Sequence, residues 1–220
     1  MPIALLDLDG TLVDSNYHQA LAWARAFAGR GHHPGLWRIH RTLGMGGDQL
    51  VAHLVGDDVE RREGDELRAA WERGFRALLD EVVPVDGAGD LLRQLAGDGW
   101  AVVLASSSPT WMVEHYVQLL DAEASVRGWT TADDAQRTKP EPDLVRSALA
   151  VAGDEPDRRA VMVGDSTWDV LAARRIGLAT VAVQAGGYGA DELRAAGAAA
   201  VVGELRDLPH VLPDHLARPS

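Results

Sequence analysis

Four unbroken apolar runs of strand length recur along the chain: IALLDL (3–8), AVVLAS (101–106), AVMVGD (160–165) and ATVAVQ (179–184), with a weaker AAAVV near 200. Segments with helical spacing lie between them, at 87–97, 109–120, 141–152 and 168–176. A strand that is apolar on both faces must be covered on both. The alternation therefore predicts an α/β fold, a parallel sheet between two layers of helices. Sheets of this kind bind ligands beyond the carboxyl ends of their strands. Residues 15 to 85 break the rhythm: YHQALAWARAFAGR, DQLVAHLV and ELRAAWERGFRALLDEV have helical spacing and none of them reads as a strand. This interval is expected to be a helical insertion after the first strand. VVPVDGAG (82–89), with its proline and glycines, is its return hinge.

The polar residues at the strand ends carry the chemistry. In DLDGT (7–11) two acids stand two residues apart on an extended backbone, so Asp7 and Asp9 point to one side and Leu8 to the other. Like charges placed this way repel, and burial raises the pKa of one of them unless a cation offsets the charge. The pair therefore suits a divalent ion, acid/base chemistry, or both; two acids capping a turn is the bland alternative. The second run ends on Ser106 and Ser107, with Ser108 expected as a helix cap and Pro109 at the first helical position, an anion site of hydroxyls and free amides. The third ends on Asp165, with Asp169 four residues on, one helical turn away. An acid in a first helical turn is favoured by the helix dipole in any case.

Lys139 adds a positive charge, just before a proline expected to start a helix. Of 21 basic residues it is the one lysine. A compact ammonium at a position where a guanidinium would not serve is a functional reading of that fact, with chance as its competitor. Taken together, four acids, a hydroxyl beside helix amides and one lysine gather at one end of the expected sheet. Phosphoryl transfer needs this inventory, because a carboxylate approaches a phosphate dianion only where cations neutralise it and donors hold the equatorial oxygens. In that reading Asp7 is the nucleophile and forms an aspartyl-phosphate, while Asp9 protonates the leaving oxygen and later activates water.

Composition excludes other classes. The net charge is −12 with no basic block, which argues against a nucleic-acid partner. No apolar run nears the ~18 residues a membrane helix needs. The first ten residues hold acids where a secretory leader would be apolar, so a cytoplasmic location is expected. With no cysteine, any metal must be held by oxygen or imidazole. Nothing in the pattern specifies an oligomeric state.

At these residues the sequence resembles the haloacid dehalogenase superfamily, in the branch of phosphoglycolate phosphatases and β-phosphoglucomutases. Its four motifs match in order: DLDGT (7–11), the strand-end Ser106, Lys139 in KPEPD, and GDSTWD (164–169). The resemblance implies a Rossmann-like core over 1–14 and 87–220 with a helical cap over 15–86. It implies a Mg²⁺ ion held by the side chains of Asp7 and Asp165 and the backbone carbonyl of Asp9, with Asp169 supporting the ion. Ser106 and Lys139 would hold the phosphoryl group, and the implied partner is a small phosphorylated metabolite.

Within that branch the second acid, Asp9, argues against a dehalogenase, and the absence of a lysine from 15–86 argues against a phosphonatase. A sugar-phosphate mutase remains the main rival to a phosphatase. A receiver-like phospho-accepting domain is about half this length and lacks the insertion. Substrate choice is expected from the glycine-rich turn HRTLGMGGDQL (40–50), placed over the aspartates, with Arg41 as a contact to a substrate carboxylate or second phosphate and Ser107 as a further phosphate donor. Five of the eight histidines (His18, His32, His33, His40, His53) fall in the insertion without paired ligand spacing, and most tryptophans are expected to pack.

Overall fold

The computed structural model describes residues 1–153 and 159–218. The chain opens with β1 (Pro2–Leu6) and a short β2 (Val13–Asp14), followed by α1 (Asn16–Ala28), α2 (Leu36–Thr42), α3 (Gly47–Val55) and α4 (Asp57–Arg76). It returns through β3 (Val83–Pro84) to α5 (Ala88–Gly97), β4 (Ala101–Ala105), α6 (Thr110–Leu119), β5 (Gly128–Thr130) and α7 (Asp143–Ala152). The rest comprises β6 (Arg159–Gly164), α8 (Thr167–Arg174), β7 (Thr180–Val183), α9 (Ala190–Ala196), β8 (Ala200–Val202) and α10 (Leu208–Val211).

Six strands form one sheet in the order β5-β4-β1-β6-β7-β8, and all its pairs are parallel. Strand order reverses at β1, whose neighbours are β4 on one side and β6 on the other. That is the switch point at which such sheets open a crevice. The register sets Leu6 beside both Leu104 and Val163, so the loops after three adjacent strands leave the sheet together. The apolar strands are divided between two cores, as their alternation requires. Ala4 and Leu6 pack on one face with Leu104, Val163 and Val183, while Ile3 and Leu5 pack on the other with Val103, Met162 and the α7 residues Val145 and Leu149. A Leu→Ala change at such a position costs about 2–5 kcal/mol.

The runs expected as strands at 3–8, 101–106, 160–165, 179–184 and near 200 form β1, β4, β6, β7 and β8. Two expected helix starts are corrected. Ser108 does not cap α6, since Pro109 holds the N-cap position and the Ser108 hydroxyl is spent elsewhere. The helix after Lys139 starts only at Asp143, capped by Pro142, because the chain first turns through Pro140 and Glu141. The strand β5, the helix α2 and the small antiparallel pair β2–β3 were not expected.

Residues 16–76 hold α1 to α4. Their apolar faces meet through aromatic rings: Trp23 stacks on Trp71 at 5.2 Å and Trp71 on Phe75 at 5.8 Å. Phase and spacing explain the stack, since Trp71 and Phe75 are one turn apart on α4. Phase alone does not bury every tryptophan, and Trp37 at the outer end of α2 is 71% exposed. A two-stranded ribbon closes the insertion: Val13 pairs with Pro84 and Asp14 with Val83, antiparallel. The chain thus leaves for the inserted helices and comes back at one place.

Candidate active site

Asp7 extends β1 by one residue, its amide donating to the Val163 carbonyl at 2.9 Å. The chain then closes a tight loop in which the Leu8 carbonyl accepts from the amides of Thr11, Leu12 and Val13. Gly10 makes that loop possible. Its φ is +76°, and a Cβ there would stand 2.2 Å from Asn16 Nδ2 and 2.5 Å from Asp165 Oδ2.

Four buried charges meet at this end of the sheet. Lys139 is fully buried, and its Nζ donates to Asp7 Oδ1 at 2.6 Å and to the Ala105 carbonyl at 2.8 Å, and pairs with Asp169 Oδ1 at 2.7 Å. Burial alone would depress this ammonium; Asp169 and then Asp7 outweigh it and hold its pKa above the usual lysine range. Asp7 is pushed well above the ordinary carboxylate range by burial, against the pull of Lys139 and with Asp169, Asp165 and Asp9 adding to it. Asp165 is pushed up to about 8, first by burial and then by Asp169, against hydrogen bonds from Thr11 Oγ1 and Asn16 Nδ2, both at 3.1 Å. Asp169 serves two purposes at once. One oxygen faces Lys139, and the other accepts from the Ser166 amide and hydroxyl in a capping box that starts α8.

Asp7, Asp165 and Asp169 each offer one carboxylate oxygen within 4.8 Å of the others. Asp7 Oδ2 is buried with no hydrogen-bond partner. An all-oxygen set of three crowded acids suits a hard divalent cation. The Asp9 carboxylate lies outside this group and is held by three donors instead: Ser15 Oγ at 2.5 Å, Gln19 Nε2 at 2.6 Å and Ser108 Oγ at 2.6 Å. Burial nonetheless raises its pKa, which the bonds from Ser108 and Ser15 only partly offset. Tyr116 is fully buried nearby; burial, then the Asp9 charge, raises its own pKa well above the usual phenol value.

Ser106 and Ser107 lie just beyond β4. The Ser106 hydroxyl accepts from the Ser108 amide at 3.0 Å and shapes the loop into α6, while Ser107 Oγ is buried without a partner. The glycine-rich turn at 40–50 lies against the lysine loop. There the Gly46 amide donates to Thr138 Oγ1 at 2.9 Å, Gln49 Nε2 donates to the Thr138 carbonyl at 2.5 Å, and the Thr138 hydroxyl donates to Asp48. Gly44, at φ +97°, brings this turn so close to Ser166 that a Cβ would stand 2.6 Å from its Oγ.

A cavity of about 610 Å³ opens between the inserted helices and the core. Gln19 and Ser108, two of the three residues that hold Asp9, line it together with Ser107. Arg41 does not. Expected to contact substrate, its guanidinium instead donates to the Gly187 carbonyl at 3.1 Å and to Glu192 at 3.0 Å, and sits 4.5 Å over the Tyr188 ring. With His40 Nε2 at 3.0 Å from the Gly186 carbonyl, it fastens α2 to the loop after β7. Trp168, next to the acids in sequence, turns away and donates to the Arg41 carbonyl at 3.0 Å.

Sequence reasoning missed Thr11, Ser15, Asn16 and Gln19 as partners of the acids. One signal was available for Gln19. It shares the inward stripe of α1 with Trp23 and Ala26, at i, i+4 and i+7, and an amide on an apolar stripe needs a buried partner.

A family model described as haloacid dehalogenase-like hydrolase matches residues 1–177. The validoxylamine A 7′-phosphate phosphatase of Streptomyces hygroscopicus subsp. limoneus is 32% identical over 178 residues, covering 80% of this chain and 82% of that protein. Phosphoglycolate phosphatase 1 of Pseudomonas aeruginosa is 29% identical, over 99% of this chain and 85% of its own. Among solved structures, a hydrolase from Pseudomonas syringae superposes with a TM-score of 0.88 at 29% identity, covering 99% of this chain and all of the other.

Proposed function

The chain belongs to the haloacid dehalogenase-like hydrolases, and on that premise we propose that it is a Mg²⁺-dependent phosphatase of a small phosphorylated metabolite, working through an aspartyl-phosphate. The observation that carries this reading is Asp7. Its Oδ1 is pinned by the Lys139 ammonium, while its Oδ2 is buried, unpartnered and free to attack. Asp7 Oδ2 forms a bond to phosphorus as the bond from phosphorus to the leaving oxygen breaks. Asp9, its pKa raised by burial, gives its proton to that oxygen and the alcohol departs. Asp9 then takes a proton from water as the water oxygen attacks phosphorus, the bond to Asp7 breaks, and orthophosphate is released.

Lys139 keeps Asp7 oriented and adds positive charge beside the transferring group. Ser106, Ser107 and the amides at the start of α6 serve the non-reacting phosphate oxygens. Asp7, Asp165, Asp169 and the main-chain carbonyl of Asp9 are the groups that would hold Mg²⁺. When bound, the ion supplies the charge that lets a carboxylate approach a phosphate dianion. Helices α1 to α4 act as the cap over this site.

Two relatives are named for different phosphate esters, so the leaving group is not inherited from them. Phosphate release from a panel of esters, with Mg²⁺ and with EDTA, tests the reading while sugars are followed for isomerisation. Release that needs Mg²⁺ and is abolished by Asp7→Asn is expected. Isomerised sugar with little free phosphate assigns the chain to the mutases, and release by the Asp7→Asn enzyme removes the aspartyl-phosphate.

A further inference from the structure

Three groups hold the Nζ of Lys139, but a long flexible side chain is placed only when its main chain is placed too. That main chain is held from two sides by different parts of the molecule. Beyond the lysine, Arg175 at the end of α8 donates to the Pro140 carbonyl at 2.5 Å and pairs with Glu141 at 2.9 Å, so the core holds the exit. Before it stands Thr138, 3% exposed and turned to the inserted helices. Its hydroxyl accepts from the Gly46 amide at 2.9 Å and donates to Asp48, while its amide donates to the other Asp48 oxygen at 3.2 Å. Its carbonyl accepts from Gln49 Nε2 at 2.5 Å and from the Glu141 amide at 3.0 Å. Gln49 Nε2 also donates to the Lys139 carbonyl at 3.3 Å. Each of the three polar groups of Thr138 therefore meets residues 46–49.

Two details separate this contact from ordinary packing between neighbouring segments. Gly46 has φ −74° and ψ 163°, a conformation any residue adopts, so its missing side chain serves room and not the turn. A Cβ there would stand 2.4 Å from Thr138 Oγ1 and 2.6 Å from its Cγ2. Asp48, for its part, pairs with no cation among the described residues, and its two oxygens go to the hydroxyl and the amide of Thr138. Bonds to an ionised acceptor are the stronger kind.

We infer that Thr138 is a positioning residue for the proposed reaction: Gly46, Asp48 and Gln49 fix it, it fixes the main chain of Lys139, and docking of the inserted helices is thereby coupled to the seating of the ammonium on Asp7. The inference rests on the phosphatase reading of the same site, in which Lys139 orients the attacking carboxylate. Without its partners on the insertion, Thr138 leaves the lysine held at its tip and its exit alone. Misplacing a reacting group by about 1 Å costs up to about a hundredfold in rate, so a loosened ammonium is visible in kcat.

Two measurements test this, one with turnover and one without. Hydrolysis of p-nitrophenyl phosphate with Mg²⁺ is followed in Thr138→Val, which keeps the shape and loses the hydroxyl, and in Thr138→Ser, which keeps the hydroxyl. Asp48→Ala changes an exposed residue, and melting temperatures check that each variant is folded. Thr138→Val and Asp48→Ala are each expected to lower kcat about tenfold, the worth of one or two hydrogen bonds, with KM within about twofold. Thr138→Ser should recover most of that loss, and the two harmful changes together should add little to either, since they break the same bond. Because Lys139 is the one lysine of the chain, protein labelled with ¹⁵N at lysine gives a single ammonium signal that reports its seat directly. That signal should shift or broaden in Thr138→Val and Asp48→Ala and return toward its starting position in Thr138→Ser.

A lysine signal unmoved in both variants overturns the inference, whatever the rates do. So does a moved signal with kcat within about twofold of the starting enzyme, because the contact then has no part in the reaction. Thr138→Ser as impaired as Thr138→Val, or losses that multiply in the double variant, overturns it as well. A starting enzyme that turns over no ester at all overturns the phosphatase reading instead, and the lysine signal alone then decides whether Thr138 seats the ammonium.

Discussion

Carboxylates gather twice in this molecule, and the two gatherings behave as different materials. At the strand ends Asp7, Asp165 and Asp169 are 3%, 1% and 0% exposed, around a lysine that is fully buried. On the cavity wall the side chains of Glu72 and Asp65 are 41% and 100% exposed, and their partners are arginines with water at hand. Water separates the two cases. In the first, each charge acts on its neighbours through a medium that screens little, so one ammonium holds two acids, Asp7 and Asp169, and the third, Asp165, feels Asp169. In the second, each pair is screened and individually weak. The proposed reaction draws on the dry group.

The largest effect that separates them is expected from removing the shared cation. Lys139→Met leaves Asp7 and Asp169 buried without a counter-charge and should destabilise the fold by about 3–5 kcal/mol, read from denaturant midpoints. A loss below about 1 kcal/mol would show that water reaches the group. An intermediate effect is expected with pH. The folded chain keeps Asp165 protonated up to about 8, whereas its ordinary value is 3.8, so the folded state holds the extra proton between those limits. Without metal, thermal stability should therefore fall as pH rises through that window. Mg²⁺ should restore it most at the upper end. Melting temperatures with EDTA that rise across the window would break the contrast. The smallest effect belongs to the wall: Glu72→Gln should shift stability by no more than about 0.5 kcal/mol, and a larger loss would place that acid among the buried ones.

The dry group was legible in the sequence and the wet one was not. Asp7, Asp9, Asp165 and Asp169 stand at fixed short distances from apolar runs, so strand ends and one helical turn place them without tertiary knowledge. Lys139 stood out by residue type alone, although the bend that delivers it was read as a helix start. The partners of Asp9 and Asp165 required knowing that α1 folds back over β1, which a buried glutamine hints at but does not state. Arg41 was read from the glycine-rich turn 40–50, whose neighbours are a tertiary matter, and the structure sets its guanidinium on Gly187 and Glu192. In the fold, β1, β4, β6 and β7 were readable because burial on both faces leaves polar residues only at the first positions of two of them, Arg159 and Thr180. Gly128–Thr130 was not, since a three-residue edge strand headed by glycine owes its form to the ladder with Val103–Ala105. The β2–β3 pair, with two residues on each side and 68 between them, has no local signature at all.

That pair nevertheless bears on how such a molecule can change. Because departure and return lie side by side at Val13↔Pro84 and Asp14↔Val83, a transplant of the segment between them, spliced at these two pairs, is expected to leave the six-stranded sheet intact. Its contacts with the host include Ser15 and Gln19 on Asp9, Asn16 on Asp165, a turn on Thr138, and His40 and Arg41 on the loop after β7. A segment that honours those contacts is expected to leave Asp7, Asp9 and Asp165 as they are held here while the lining of the cavity changes around them.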